Sequence, residues 1–74
     1  MQKNPNFRLK DLRTKRGISQ LRLAIDLNMT QNSISRYETG AREAGYETLI
    51  RIADYFNVSL DYLLGRSNDP TFRE

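Results

Sequence analysis

The sequence predicts an all-α fold of five short helices, and three observations predict it. Apolar residues recur three and four apart in successive short segments. Most segments open on a capping residue (Asn4, Ser19, Thr30, Ser59), and each closes on a residue that tolerates a left-handed backbone (Gly17, Asn28, Gly40, Asn57, Gly65). No run alternates with the period of two that a half-buried strand requires, and no internal repeat is visible.

The first helix is expected over Pro5 to Arg16, with Asn4 as cap and Pro5 at the position where a missing N–H costs nothing. Leu9 and Leu12 form its inner face, with Phe7 beside its first turn. Asp11 and Lys15 are spaced as an i,i+4 pair, and Lys15-Arg16 suit the negative helix end. The second helix is expected over Gln20 to Leu27, with Leu23, Ala24 and Leu27 inward. Leu21 and Ile25 form a second apolar pair on another face, read either as packing against the chain's own loops or as a small partner-binding patch.

Asn28 takes the turn between the second and third helices, and Met29 anchors it. Thr30 caps a third helix over Gln31 to Thr39, whose large apolar residues are Ile34 and Tyr37. A helix this polar is poorly motivated by core burial alone. Ala41 to Gly45 is a loop. A fourth helix starts at Tyr46 and carries Leu49, Ile52, Ala53 and Phe56 inward, with Glu47 and Arg51 spaced as an ion pair. Ser59 caps a fifth, Leu60 to Leu64, and Val58, Leu60, Leu63 and Leu64 are expected to close the core. The expected division is a domain over residues 1–65 and a flexible tail over 66–74.

Seventy-four residues suffice for one domain, which buries about 60% of its unfolded surface. With no Cys and no His, thiolate chemistry, disulfides and the commonest zinc ligands are excluded. There is no paired-carboxylate pattern, Gly-rich phosphate loop or metal-ligand spacing, so neither an enzyme nor a metal or cofactor site is expected. No apolar run exceeds three residues, so no membrane segment or signal peptide is expected, and the chain reads as cytoplasmic. Charge is segregated. Residues 1–42 hold nine Lys/Arg and three acids, whereas 43–74 hold three and six. The first half is the one suited to a polyanion, although a merely solvated basic face has the same composition.

Ser19 to Gly40 carries the requirements of a helix-turn-helix. A small residue (Ala24) stands where the helices cross, a turn residue (Asn28) comes four positions on, and Leu23, Leu27, Met29, Ile34 and Tyr37 anchor both helices. The segments RLKDLRTKRGISQ, LAIDLNMTQNSISRYETG and ETLIRIADYFNVSLDYLLG match in order and spacing. On them the chain resembles the lambda-repressor-like, Xre-type helix-turn-helix proteins, over about Arg8 to Gly65. The resemblance implies a compact five-helix DNA-binding domain, commonly a homodimer on a pseudo-palindromic double-stranded operator. It departs at Asn28, often Gly in the family, at Arg22, often acidic, and at Ala41 and Ala44, often a basic residue and Pro.

The third helix then reads chemically. Gln31 and Asn32 occupy its first turn, where side-chain amides can pair with adenine N6/N7. Arg36, one turn on, suits guanine O6/N7, and Ser33 suits a base edge or a thymine methyl. The resemblance places base contacts at Gln31, Asn32, Ser33 and Arg36; for Ser33 and Ser35 an ordinary solvated residue fits as well as a base contact. It also places a phosphate contact at Gln20, whose helix N-terminus favours anions. Thr39 and Arg42 lie farther along the backbone, and Arg8 and Lys10 add attraction. It further implies an Arg13–Glu38 ion pair joining the first and third helices, with Arg13 also within reach of a phosphate. Val58 and Leu60 are where a dimer contact is sought.

The function expected is that of a sequence-specific DNA-binding transcriptional regulator, a repressor. The alternative is an antitoxin or other protein-interaction module, with Leu21 and Ile25 as its patch.

Overall fold

The computed structural model describes residues 7–71. Five helices succeed one another: α1 (Leu9–Arg16), α2 (Gln20–Leu27), α3 (Gln31–Thr39), α4 (Tyr46–Phe56) and α5 (Leu60–Leu63). There is no strand among the described residues. α3 packs on α2 and α1, and α5 packs on α4.

Three of the four connections are the same corner. Gly17-Ile18-Ser19, Asn28-Met29-Thr30 and Asn57-Val58-Ser59 each place a left-handed residue, an apolar residue and a hydroxyl cap in succession. In the second, Asn28 N–H donates to the Ile25 carbonyl at 3.1 Å and Met29 N–H to that of Ala24 at 2.8 Å. This is the Schellman pairing, which satisfies carbonyls that the helix end leaves open. The other two repeat it, with Ile18 N–H on Arg13 and Val58 N–H on Ala53. The cap hydroxyl then accepts from the backbone three residues on: Ser19 from Arg22, Thr30 from Ser33, Ser59 from Tyr62. The apolar middle residue turns inward, fully at Val58 and partly at Ile18 and Met29.

The core is Leu9, Leu23, Ala24, Leu27, Ile34, Tyr37, Ile52, Ala53, Phe56, Val58 and Leu63, so every helix contributes. Val58 is therefore a core residue and not a surface for a second copy; Leu60 is half-buried.

Arginines finish several helix ends from a distance. Arg8 Nε donates to the Tyr62 carbonyl at 2.8 Å at the end of α5, and its guanidinium lies 4.3 Å from the centre of the Tyr62 ring. Arg16 reaches the Tyr55 carbonyl at 3.2 Å at the end of α4, over the Phe56 ring. Arg51 donates to the Leu27 carbonyl at the end of α2. Each positive head meets open carbonyls at the negative end of a helix.

Two expectations are corrected here. The first helix begins at Leu9, because Arg8 N–H is drawn to the Leu63 carbonyl at 2.9 Å; the Asn4-Pro5 start lies outside the described residues. The Asp11–Lys15 and Glu47–Arg51 pairs are not formed; the ion pairs among the described residues are Arg13–Glu38 and Arg22–Asp26. Arg8 is engaged by α5 and by Ser67 and Asn68 beyond it, all through uncharged acceptors, so its guanidinium is held in place while its charge is not neutralised. The segment after α5 bonds back to the domain as far as Pro70. Pro70 accepts from Ser59 N–H at 2.9 Å, and Ser67 and Asn68 accept from Arg8 at 3.3 and 3.0 Å. Unfilled polar groups at the start of α5 and on Arg8 hold it there.

Candidate nucleic-acid interface

α3 is clamped on one side and bare on the other. Ile34 is fully buried and Tyr37 nearly so. At about 100° per residue, Asn32 and Arg36 both point about 200° around the helix from Ile34, and Thr39 about 140°. These three and Gln31 are exposed. The side chains of Gln31, Asn32 and Arg36 hydrogen-bond no other described residue. Thr30 fixes the start of the helix and Gly40 ends it in a left-handed turn.

Ser33 differs from its neighbours. It is half-buried, and its hydroxyl accepts from Thr30 Oγ1 at 3.0 Å while its N–H donates to the same oxygen at 3.1 Å. Its acceptor capacity is thus partly committed to the cap. Ser35 is half-buried too.

One carboxylate holds α3 in place. Glu38, with only 3% of its side chain exposed, accepts from Arg13 Nε at 2.6 Å on Oε2 and from Arg13 NH2 at 3.2 Å on Oε1. Gln20 Nε2 donates to the same Oε1 at 3.0 Å. Arg13 NH1 donates to the Ile18 carbonyl at 3.0 Å. Each Arg13 guanidinium nitrogen thus has a partner inside the chain. The bond to Glu38 raises the Arg13 pKa above its ordinary value, against the opposing effect of burial. Gln20 stands at the first position of α2 with its amide oriented by the carboxylate.

Thr39 and Arg42 flank the end of α3. Thr39 Oγ1 donates to the Arg36 carbonyl at 3.2 Å, and Arg42 is exposed with its guanidinium 5.6 Å from the Tyr37 ring centre. Gln31, Asn32, Arg36, Thr39 and Arg42 are therefore all exposed on α3 or just past its end. Gln20 adjoins the helix through Glu38, whereas Arg13 lies behind it.

A second link fixes α2 from behind. Tyr55 Oη donates to Asp26 Oδ2 at 2.6 Å, and Arg22 Nε donates to the same oxygen at 3.2 Å. The Tyr55 hydroxyl, with Arg22, holds the Asp26 carboxyl below its ordinary pKa; the same bond pushes the Tyr55 phenol up. This link and the three helix-end arginines escape a reading of the sequence. Their partners are 24 to 54 residues away in the chain, where no local pattern records them.

The helix-turn-helix family model matches residues 9–63. The chain belongs to the Xre-type, lambda-repressor-like helix-turn-helix family. Among helix-turn-helix relatives, it is 42% identical over 67 residues to the uncharacterized HTH-type transcriptional regulator YqaE of Bacillus subtilis (strain 168), covering 89% of this chain and 58% of that protein. It is 42% identical over 59 residues to the HTH-type transcriptional regulator ImmR of the same organism, covering 80% and 46%. To the HTH-type transcriptional activator BcrR of Enterococcus faecalis it is 36% identical over 69 residues, covering 93% and 34%. The chain thus spans about half the length of the two Bacillus subtilis regulators and about a third of BcrR. No solved structure matches it.

Proposed function

We propose that this chain binds double-stranded DNA sequence-specifically in the cytoplasm and regulates transcription, acting as a repressor. The observation that carries the reading is the outer stripe of α3. Asn32 and Arg36 stand exposed and unbonded on the side of the helix opposite Ile34 and Tyr37, and Gln31 is exposed and unbonded in its first turn, on a helix held in place by Ile34, Tyr37 and Glu38. Side chains that serve no fold are held on a rigid support, and they are of the types that pair bidentately with adenine and guanine in the major groove.

In this reading α3 lies in the groove. Gln31 and Asn32 read adenine, Arg36 reads guanine, and Ser33 offers its remaining hydroxyl proton to a base edge. Gln20, Thr39 and Arg42 grip phosphates on either side, while Arg13 acts through Glu38 and Gln20. Two copies occupy half-sites about 10 base pairs apart on a pseudo-palindromic operator. Occupancy alone excludes other proteins from the site, so repression needs no further contact.

Selection from a random duplex library tests this directly. A defined, dyad-symmetric site is expected, with affinity falling steeply as salt rises. A selected pool with no sequence preference would sink the reading; a site without dyad symmetry would sink the paired copies.

A second reading rests on Leu21 and Ile25, which are 52% and 62% exposed one turn apart on α2. Such a patch suits a protein-interaction module, an antitoxin being one form. Copurification of a stoichiometric partner that Leu21→Ser with Ile25→Ser releases would favour it.

A further inference from the structure

The far half of the molecule shows solvent an apolar strip. Tyr46 and Ile50, one turn apart on α4, are 75% and 40% exposed, and the same row continues to Asp54. The strip runs into a furrow of about 310 Å³ between α4, the start of α5 and the segment after α5. Ile50, Ala53 and Leu60 supply its apolar lining, and Asp54, Asp61 and Asp69 its carboxylates. No Lys or Arg is among the described residues that line it. The side chains of Asp54 and Asp61 pair with no described residue.

We propose that this furrow docks a basic, amphipathic segment of a partner protein. An aliphatic surface beside carboxylates is complementary to Lys and Arg. Their methylene stems lie along Ile50, Ala53 and Leu60 while their cationic heads meet Asp54 and Asp61. Apolar neighbours in the same segment cover Tyr46 and Ile50. A second copy of this chain is the poorer occupant, because a two-fold contact sets the Asp54 and Asp61 of one copy against those of the other. No residue of α3 lines the furrow, so the docked segment does not need the outer stripe of α3. The inference does not depend on what α3 binds.

The test is a titration of the full chain with a labelled helix-forming peptide of about four turns, leucines three and four apart and lysines elsewhere. Its counterpart carries Glu for every Lys. Saturable binding that weakens with salt is expected for the Lys peptide alone, with amide resonances of Ile50, Leu60 and Asp61 shifting. Asp54→Asn with Asp61→Asn should weaken it about tenfold or more, with helical circular dichroism unchanged. Asp11→Asn, on α1, should leave binding as it was. The proposal is overturned by equal binding of both peptides, by indifference to the double substitution, or by shifts confined to Leu21 and Ile25. Absence of saturable binding overturns it, as does self-association through the same amides without peptide.

Discussion

Arg13 Nε and Glu38 Oε2 lie 2.6 Å apart, tying α1 to α3 beneath the surface that α3 presents. Gln20 of α2 joins the same carboxylate, so three helices share one anion. Removing that anion strands a guanidinium with only 12% of its side chain exposed. Glu38→Ala should therefore destabilise the chain by about 3 kcal/mol, the lower end for a broken buried pair, since Arg13 keeps the Ile18 carbonyl. Urea denaturation measures it. A cost under about 1 kcal/mol would mean that the pair behaves as a solvent-exposed one.

Asn28 and Asn57 hold φ at 58° and 57°, where a Cβ crowds the following carbonyl. Asn28→Ala and Asn57→Ala should each cost about 1 kcal/mol. Asn28→Gly should be near neutral, because glycine relieves the strain while adding freedom to the unfolded chain. Denaturation midpoints of the three variants test the ranking; an alanine variant as stable as the parent would contradict it.

The Asp26–Tyr55 link ties stability to pH at both extremes. The folded Asp26 pKa is depressed from 3.8, so its contribution is present at neutral pH and is lost as pH falls through the folded value. The folded Tyr55 pKa is raised from 10.0, so its contribution is present below that value and lost as pH rises through the folded one. Tyr55→Phe should flatten both limbs and lower stability evenly between them. The check is the difference between parent and variant stability across the pH range. A slope in that difference near neutrality would point to a different group.

If α3 reads bases, Asn32→Ala or Arg36→Ala should relax preference at one base position and cost about 1–3 kcal/mol on the selected site. Arg42→Ala should weaken all duplexes alike and lower the salt slope by about one. Binding to single-base variants of the site, at several salt concentrations, separates the two. Uniform loss from Arg36→Ala would move that residue to the backbone-gripping group.

The elements α2, α3 and α4 are legible in the sequence because their limits are written locally. Ser19 and Thr30 bond the backbone three residues on, and Asn28, Gly40 and Asn57 turn where their own backbones allow. The outer stripe of α3 is equally readable from helical period and polarity. Ser33 is not, because whether its hydroxyl faces solvent or the Thr30 cap depends on rotamers that spacing does not encode. The start of α1 and the work of Arg8, Arg16 and Arg51 are also out of reach. Counting basic residues treats all of them as surface charge, yet these three act on carbonyls at the ends of α5, α4 and α2. Their charge still contributes to the field of the molecule, but their side chains are tied to the fold and are not free to follow a ligand.

The corner between α2 and α3 is built as the corners at Gly17-Ile18-Ser19 and Asn57-Val58-Ser59 are. Nothing in its own geometry singles it out. What α3 carries on its outward side, Asn32 and Arg36, are side chains on which folding makes no claim. If those side chains read bases, heritable change can rewrite them while the joinery stays constant, and a lineage of such chains can move from one target to another without passing through an unstable ancestor.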